Sequence, residues 1–153
     1  MVRPIVLAAL IAGTLDILSA FMFAGMAAMG PSRVLAYVAS GPFGDAALDG
    51  GPGWAAAGLA VHYAIMTCMA AAYLLAAARL PLLVRHPVPA GLAYGVLLWL
   101  VMYWMVKPLR WPDAPLPHTA WGIGNALFSH CLLVGLPIAL VAAGHMRRRA
   151  AAA

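Results

Sequence analysis

PIVLAALIAGTLDILSAFMFAGMAAM, residues 4–29, decides how the whole chain is read. Its polar side chains are Thr14, Asp16 and Ser19, and the rest is apolar or glycine. At about 1.5 Å per residue a helix of this length crosses the ~30 Å hydrocarbon layer of a bilayer. Arg3 ahead of an apolar run also resembles the start of a cleavable signal peptide. The apolar run of such a peptide is only about 7–15 residues long, whereas this one is longer and carries Asp16 in its middle. It reads as a retained transmembrane helix.

Three further segments of the same kind follow, at 54–79, 89–107 and 119–143. The chain has 153 residues, 65% of them hydrophobic and 8% charged. A soluble domain carries about 25% charged residues, so water could not solvate a surface this poor in charge. No alternating pattern supports membrane strands. The expected fold is all-α: a single transmembrane domain over 1–153, built as an integral membrane four-helix bundle. The net charge of +5 could suggest nucleic acid in a soluble protein. Here the basic residues sit at segment ends and act as topology signals, so no nucleic-acid partner is expected and the bilayer is the main one.

Residues 30–53 break the pattern with Pro31, Pro42, Pro52, several glycines, Asp45 and Asp49. Ser32 can cap a short helix running to Ser40, with Val34, Leu35 and Val38 on one face. That helix is expected to lie in the interface or re-enter the protein. Connections this long are uncommon and often functional.

Positive residues near helix ends favour the cytoplasmic side. Arg3, Arg79, Arg85, Arg147, Arg148 and Arg149 fall on one side, and Arg33, Lys107 and Arg110 on the other with Asp45, Asp49 and Asp113. Both termini are therefore expected in the cytoplasm. Trp54, Trp104, Trp111 and Trp121 would form an aromatic belt at the outer interface. The alanine run at the end of the tail is expected to fray.

Small residues let helices approach closely in lipid. Ala9, Gly13, Asp16, Ala20 and Ala24 form such a stripe, Gly91 and Gly95 a GxxxG, and Gly122 and Ala126 a small-xxx-small pair. Pro137 removes a backbone donor and is expected to kink the last helix. Cys68 and Cys131 lie within apolar segments and read as small apolar residues rather than a disulfide framework.

Ionisable side chains inside a membrane usually face the protein interior. Asp16 lies roughly 18 Å from the basic end of its helix, while His62 and His130 lie roughly 12 and 16 Å from the other end of theirs. All three therefore fall at similar depth. They are expected to form one polar cluster, with Thr14, Ser19, Asn125 and Ser129 as supporting partners. Four meanings stay open. Asp/His chains suit proton or ion passage, or a small-ligand site. His62 and His130 could be axial ligands of a haem. With Met22, Met26, Met66, Met69, Met102 and Met105 nearby, the histidines could hold a metal such as copper. Hydrogen bonds that fix the helix arrangement are the fourth. A further reading makes the chain an accessory subunit packed against a larger membrane complex, with Gly91 and Gly95 in the contact; a homo-oligomer is also open. No P-loop, dinucleotide fingerprint, GxSxG, HExxH or CxxCH is present, so nothing points directly to an enzyme.

GTLDIL at 13–18, RVLAYVASGPFGDAALDGG at 33–51, GLAVHY at 58–63, GLAYGV at 91–96 and HCLLVGLPIAL at 130–140 together carry a resemblance. In this order, over nearly the whole chain, they resemble a group of small uncharacterised bacterial four-helix inner-membrane proteins, and more loosely the YagU-like proteins. The resemblance implies a bacterial inner-membrane location and supplies no activity.

Overall fold

The computed structural model describes residues 1–152, and these contain helices and turns without strands. Four helices are long and apolar enough to cross a membrane: α1 Val2–Met26, α3 Pro52–Ala77, α5 Pro87–Arg110 and α6 Ala120–Ala151. Two shorter helices, α2 Pro31–Phe43 and α4 Pro81–Arg85, occupy the connections. A 3₁₀ turn, Asp45–Asp49, separates α2 from α3.

Proline and glycine set most of these boundaries. Pro31, Pro52, Pro81 and Pro87 each fall in the first turn of a helix, where a missing N–H costs nothing and the fixed φ fits. Gly44, Gly50 and Gly51 take positive φ, a region that side chains avoid, and they bracket the 3₁₀ turn. The helices depart from the sequence expectation at several ends. α1 stops at Met26, before the expected Met29, with Ala28 at φ 58°. α2 is capped by Gly30 rather than by the Ser32 side chain and runs on to Phe43. It buries Ala36, Ala39 and Ser40 rather than a face centred on Val34, Leu35 and Val38. The basic connection after α3 contains a helix of its own, and α6 runs on to Ala151, past the expected Ala143, with the last of the alanine run lying outside the described residues.

α1 lies between α3 and α6, and α5 packs on the far side of α6. Small residues make these approaches. A Cβ on Gly13 would meet the ring of Tyr63 and the side chain of Met66 across α1 and α3. Side chains on Gly91 or Gly95 would meet α6 at Gly135, Leu136, Ala139 and the His130–Cys131 backbone. The GxxxG of α5 is thus occupied within the chain, which corrects its assignment to a contact with a larger complex. Gly58 lets α3 pass directly over the Leu35 carbonyl of α2.

The basic ends of the helices enclose the core. Ala8, Ala12, Ala70, Leu74, Leu98, Val134, Ile138 and Ala142 are buried there in one cluster. Tyr94 Oη donates to the Met69 carbonyl at 2.8 Å, and Arg147 donates to the Val84 carbonyl at 2.9 Å. Toward the other end the helices part. α3 packs against the Leu136–Ala151 part of α6 and scarcely against the part before it, and beyond the Tyr94–Met69 bond α3 and α5 scarcely approach each other.

Two stretches wind as π-helix, Met102–Val106 in α5 and Phe128–Gly135 in α6. Each ends two residues before a proline, Pro108 and Pro137. A proline ring clashes with the carbonyl four residues back and cannot donate to it, and a wider turn relieves both. The disturbance expected at Pro137 takes this form.

Candidate functional site

The parting of α3 from α5 and α6 leaves a cavity of about 590 Å³, partly open to the outside. Asp16 of α1, His62 of α3 and His130 of α6 all line it. α2 contributes Tyr37, Val38, Gly41 and Pro42. The walls are mainly apolar, with Val61, Ile65, Met66 and Met69 from α3 and Met102, Tyr103 and Val106 from α5. Both π stretches reach the cavity, through Met102, Tyr103 and Val106 in one and His130 and Val134 in the other. π turns often mark functional sites because they re-aim side chains that a regular helix would turn away.

Each histidine is held by a backbone carbonyl. His62 Nε2 lies 2.9 Å from the Gly13 oxygen, and His130 Nδ1 lies 2.8 Å from the Ala126 oxygen. A carbonyl can only accept, so these nitrogens carry the protons. His62 is buried, with its ring edge-on to Tyr63, and His130 is edge-on to Tyr103 at 5.9 Å between centroids. Asp16 makes no ion pair or side-chain hydrogen bond with either histidine among the described residues. The three groups face one space without forming a direct chain.

The supporting partners suggested by sequence lie elsewhere. Thr14 shares a 2.8 Å hydrogen bond with the Tyr63 hydroxyl on an exposed face. Ser129 meets Ser19 at 3.3 Å, between α6 and α1. Asn125 lines a second, smaller pocket with Met22, Phe23 and Trp121, and its Oδ1 is buried without a partner. Of the six methionines noted, Met66, Met69 and Met102 line the main cavity, whereas Met22, Met26 and Met105 are exposed. Among the described residues no three His, Cys or carboxylate side chains are grouped tightly enough to hold one metal ion. For haem, His130 keeps Nε2 free in the usual way for a ligand, while His62 has only Nδ1 left.

α2 is tied over the cavity by α5 and the loop after it. Arg110 Nε donates to the carbonyls of Ser40 at 2.8 Å and Gly41 at 3.0 Å, near the end of α2, where carbonyls run short of helix partners; the Ser40 carbonyl also accepts from the Gly44 N–H at 3.1 Å. One terminal nitrogen pairs with Asp45 at 2.7 Å. Tyr37 stacks on Trp111, with centroids 4.6 Å apart and planes 15° from parallel. Burial raises the pKa of the Tyr37 phenol, with the charge of Arg110 opposing, so it stays neutral at ordinary pH. Lys107 lines the mouth with Nζ donating to the Pro115 carbonyl at 2.6 Å. Sequence reading missed Tyr37, Tyr103, Lys107 and Trp111 as lining residues. The available signal was the pair of prolines after the widened turns and the basic-aromatic run Lys107–Trp111.

Comparison with family models, curated proteins and solved structures found no match for the chain.

Proposed function

We propose that this chain is a bacterial inner-membrane four-helix bundle that binds a small ligand in the cavity beneath α2. In this reading the basic end lies in the cytoplasm and α2 rests along the outer interface as a cover. Asp16, His62 and His130 supply the polar contacts, and the methionines and tyrosines supply the apolar ones. The observation that carries the reading is convergence: three ionisable side chains from three different helices line one cavity. Its volume and mainly apolar walls with a few polar groups are those of small-molecule sites. The resemblance of its sequence pieces to small bacterial inner-membrane proteins supports the location, as does the imbalance of arginine between the two ends.

Binding is favoured over passage through the membrane. Beyond Met66 and Val134, toward the basic end, the space is filled by Ala70, Leu74, Leu98 and Ile138. A ligand can reach the cavity from the α2 side but meets a packed floor.

The test is a thermal-shift screen of small amphiphiles on protein in lipid nanodiscs, run beside Ile65→Trp. Ile65 is a half-buried wall residue, and an indole there would fill much of the space. The expected result is a set of compounds that stabilise the original chain but not the variant. Compounds that stabilise both equally, or none that stabilises either, would sink the reading.

A further inference from the structure

We infer that the cavity is selective for a lipophilic organic cation, a protonated amine on an apolar body, reached from the bilayer between α3 and α5. This rests on the proposal that the cavity is a ligand site and adds the chemistry of the ligand.

The selectivity follows from which atoms are left over. His62 Nε2 and His130 Nδ1 are committed as donors to the Gly13 and Ala126 carbonyls. In the neutral rings, His62 Nδ1 and His130 Nε2 are then lone-pair acceptors. Neither is among the buried polar atoms without a partner, so both touch open space. His62 is only 6% exposed, and it lines the cavity, so the open space its free nitrogen touches is the cavity. Asp16 adds a carboxylate, again an acceptor when ionised. The neighbouring cations are engaged elsewhere: Lys107 with the Pro115 carbonyl, Arg110 with α2 and Asp45. Three acceptors from three helices therefore face a space whose one basic lining side chain, Lys107, is turned at the mouth to the Pro115 carbonyl. The matching ligand group carries several N–H donors and a positive charge.

The same geometry favours an extended organic cation over a single metal ion. The three groups are not grouped tightly enough to share one ion, whereas an ammonium with an apolar body can meet one and lie against the others. The route follows from packing. α3 and α5 are joined where Tyr94 donates to the Met69 carbonyl; beyond that bond, toward α2, their backbones scarcely approach, and Val61 and Ile65 line the α3 side of the gap. Met102 and Val106 line the α5 side. An apolar body can slide along these walls from the lipid while α2 stays in place.

The experiment compares phenylbutylamine with phenylbutanol, which has the same apolar body and no charge, by calorimetric titration into nanodisc-embedded protein. It is repeated on Asp16→Asn and Ile65→Trp. The amine is expected to bind about tenfold or more tighter than the alcohol. Asp16→Asn should bring the two affinities together, and a monodisperse elution profile in detergent like that of the original chain shows that the variant is folded. Ile65→Trp should block both. Equal binding of amine and alcohol overturns the cation selectivity and leaves the cavity reading standing. Alcohol binding without amine binding does the same. Binding of neither overturns both. An amine preference that survives Asp16→Asn overturns the acceptor assignment. Stoichiometric binding of Cu(I) that displaces the amine and is lost in His130→Ala overturns it in favour of a metal.

Discussion

At the scale of single residues, glycines decide how closely the helices stand. A Cβ on Gly95 would collide with the backbone of α6 at His130 and Cys131, and backbone cannot rotate away. Gly124 of α6 lines the second pocket, and an added Cβ there would meet open space. Gly95→Ala is therefore expected to destabilise the fold by about 1–3 kcal/mol, the usual range for overpacking. Gly124→Ala should be neutral or slightly stabilising, since alanine is the better helix former. Denaturant titration in mixed micelles measures both, and equal effects would show that the close approach of α5 and α6 is not a major constraint. The residue scale is also where sequence reading of the site divides. Depth along a helix is legible, because rise per residue is fixed, and it is depth that grouped Asp16, His62 and His130. Facing is less legible. Each residue turns the helix by about 100°, so Ser129, next to His130, points well away from it and finds Ser19 instead. Thr14, two residues from Asp16, turns out toward Tyr63 for the same reason. Depth alone could not separate these from the cavity residues.

At the scale of elements, the attachment of α2 concentrates on Arg110. Its bonds to the Ser40 and Gly41 carbonyls join a charged donor to helix-end acceptors, and such bonds contribute about 1.5–3 kcal/mol each at most. The pair with Asp45 is different, because the Asp45 side chain is 77% exposed and exposed ion pairs contribute about 0–1 kcal/mol. Arg110→Ala should therefore raise hydrogen exchange across 31–43 several-fold, with Asp45→Ala changing it little. Equal responses would place the attachment in the ion pair instead. The π stretches belong to this scale too. Pro137 follows one of them and lines no part of the cavity itself. Pro137→Ala restores a donor, allows a regular helix, and would rotate His130 relative to Asp16. Helix content should hold while ligand stabilisation in the nanodisc screen falls by about tenfold in affinity. Unchanged binding would mean that the widened turn is incidental to the site. The prolines were visible in the sequence as disturbances. That the helix would absorb them by widening rather than bending depends on packing against Gly91 and Gly95, which a single helix pattern does not encode.

At the scale of the whole molecule, the spans were the most legible feature, because a bilayer accepts only backbone that bonds to itself and side chains that tolerate hydrocarbon. That demand writes itself along the chain as long apolar runs, whereas nothing comparable marks which helices touch. The arrangement that packing produces, α3–α1–α6–α5 with a gap between the outermost two, leads to a further expectation about flux. Asp and His side chains inside a membrane suggest proton passage, but a relay needs hydrogen-bonded steps from one face to the other. Here Asp16 makes no bond with either histidine. Below them lie Ala70, Leu74, Val134 and Ile138, all buried and none able to carry a proton. Tyr73 and Tyr94 are the nearest hydroxyls in that region; Tyr94 is committed to the Met69 carbonyl, and Tyr73 Oη is buried without a partner. Vesicles reconstituted with the protein and loaded with a pH-sensitive dye should therefore leak protons no faster than empty vesicles under an imposed potential. A leak that scales with protein content and disappears in Asp16→Asn would mean that the packed floor opens, and that the cavity is one half of a path.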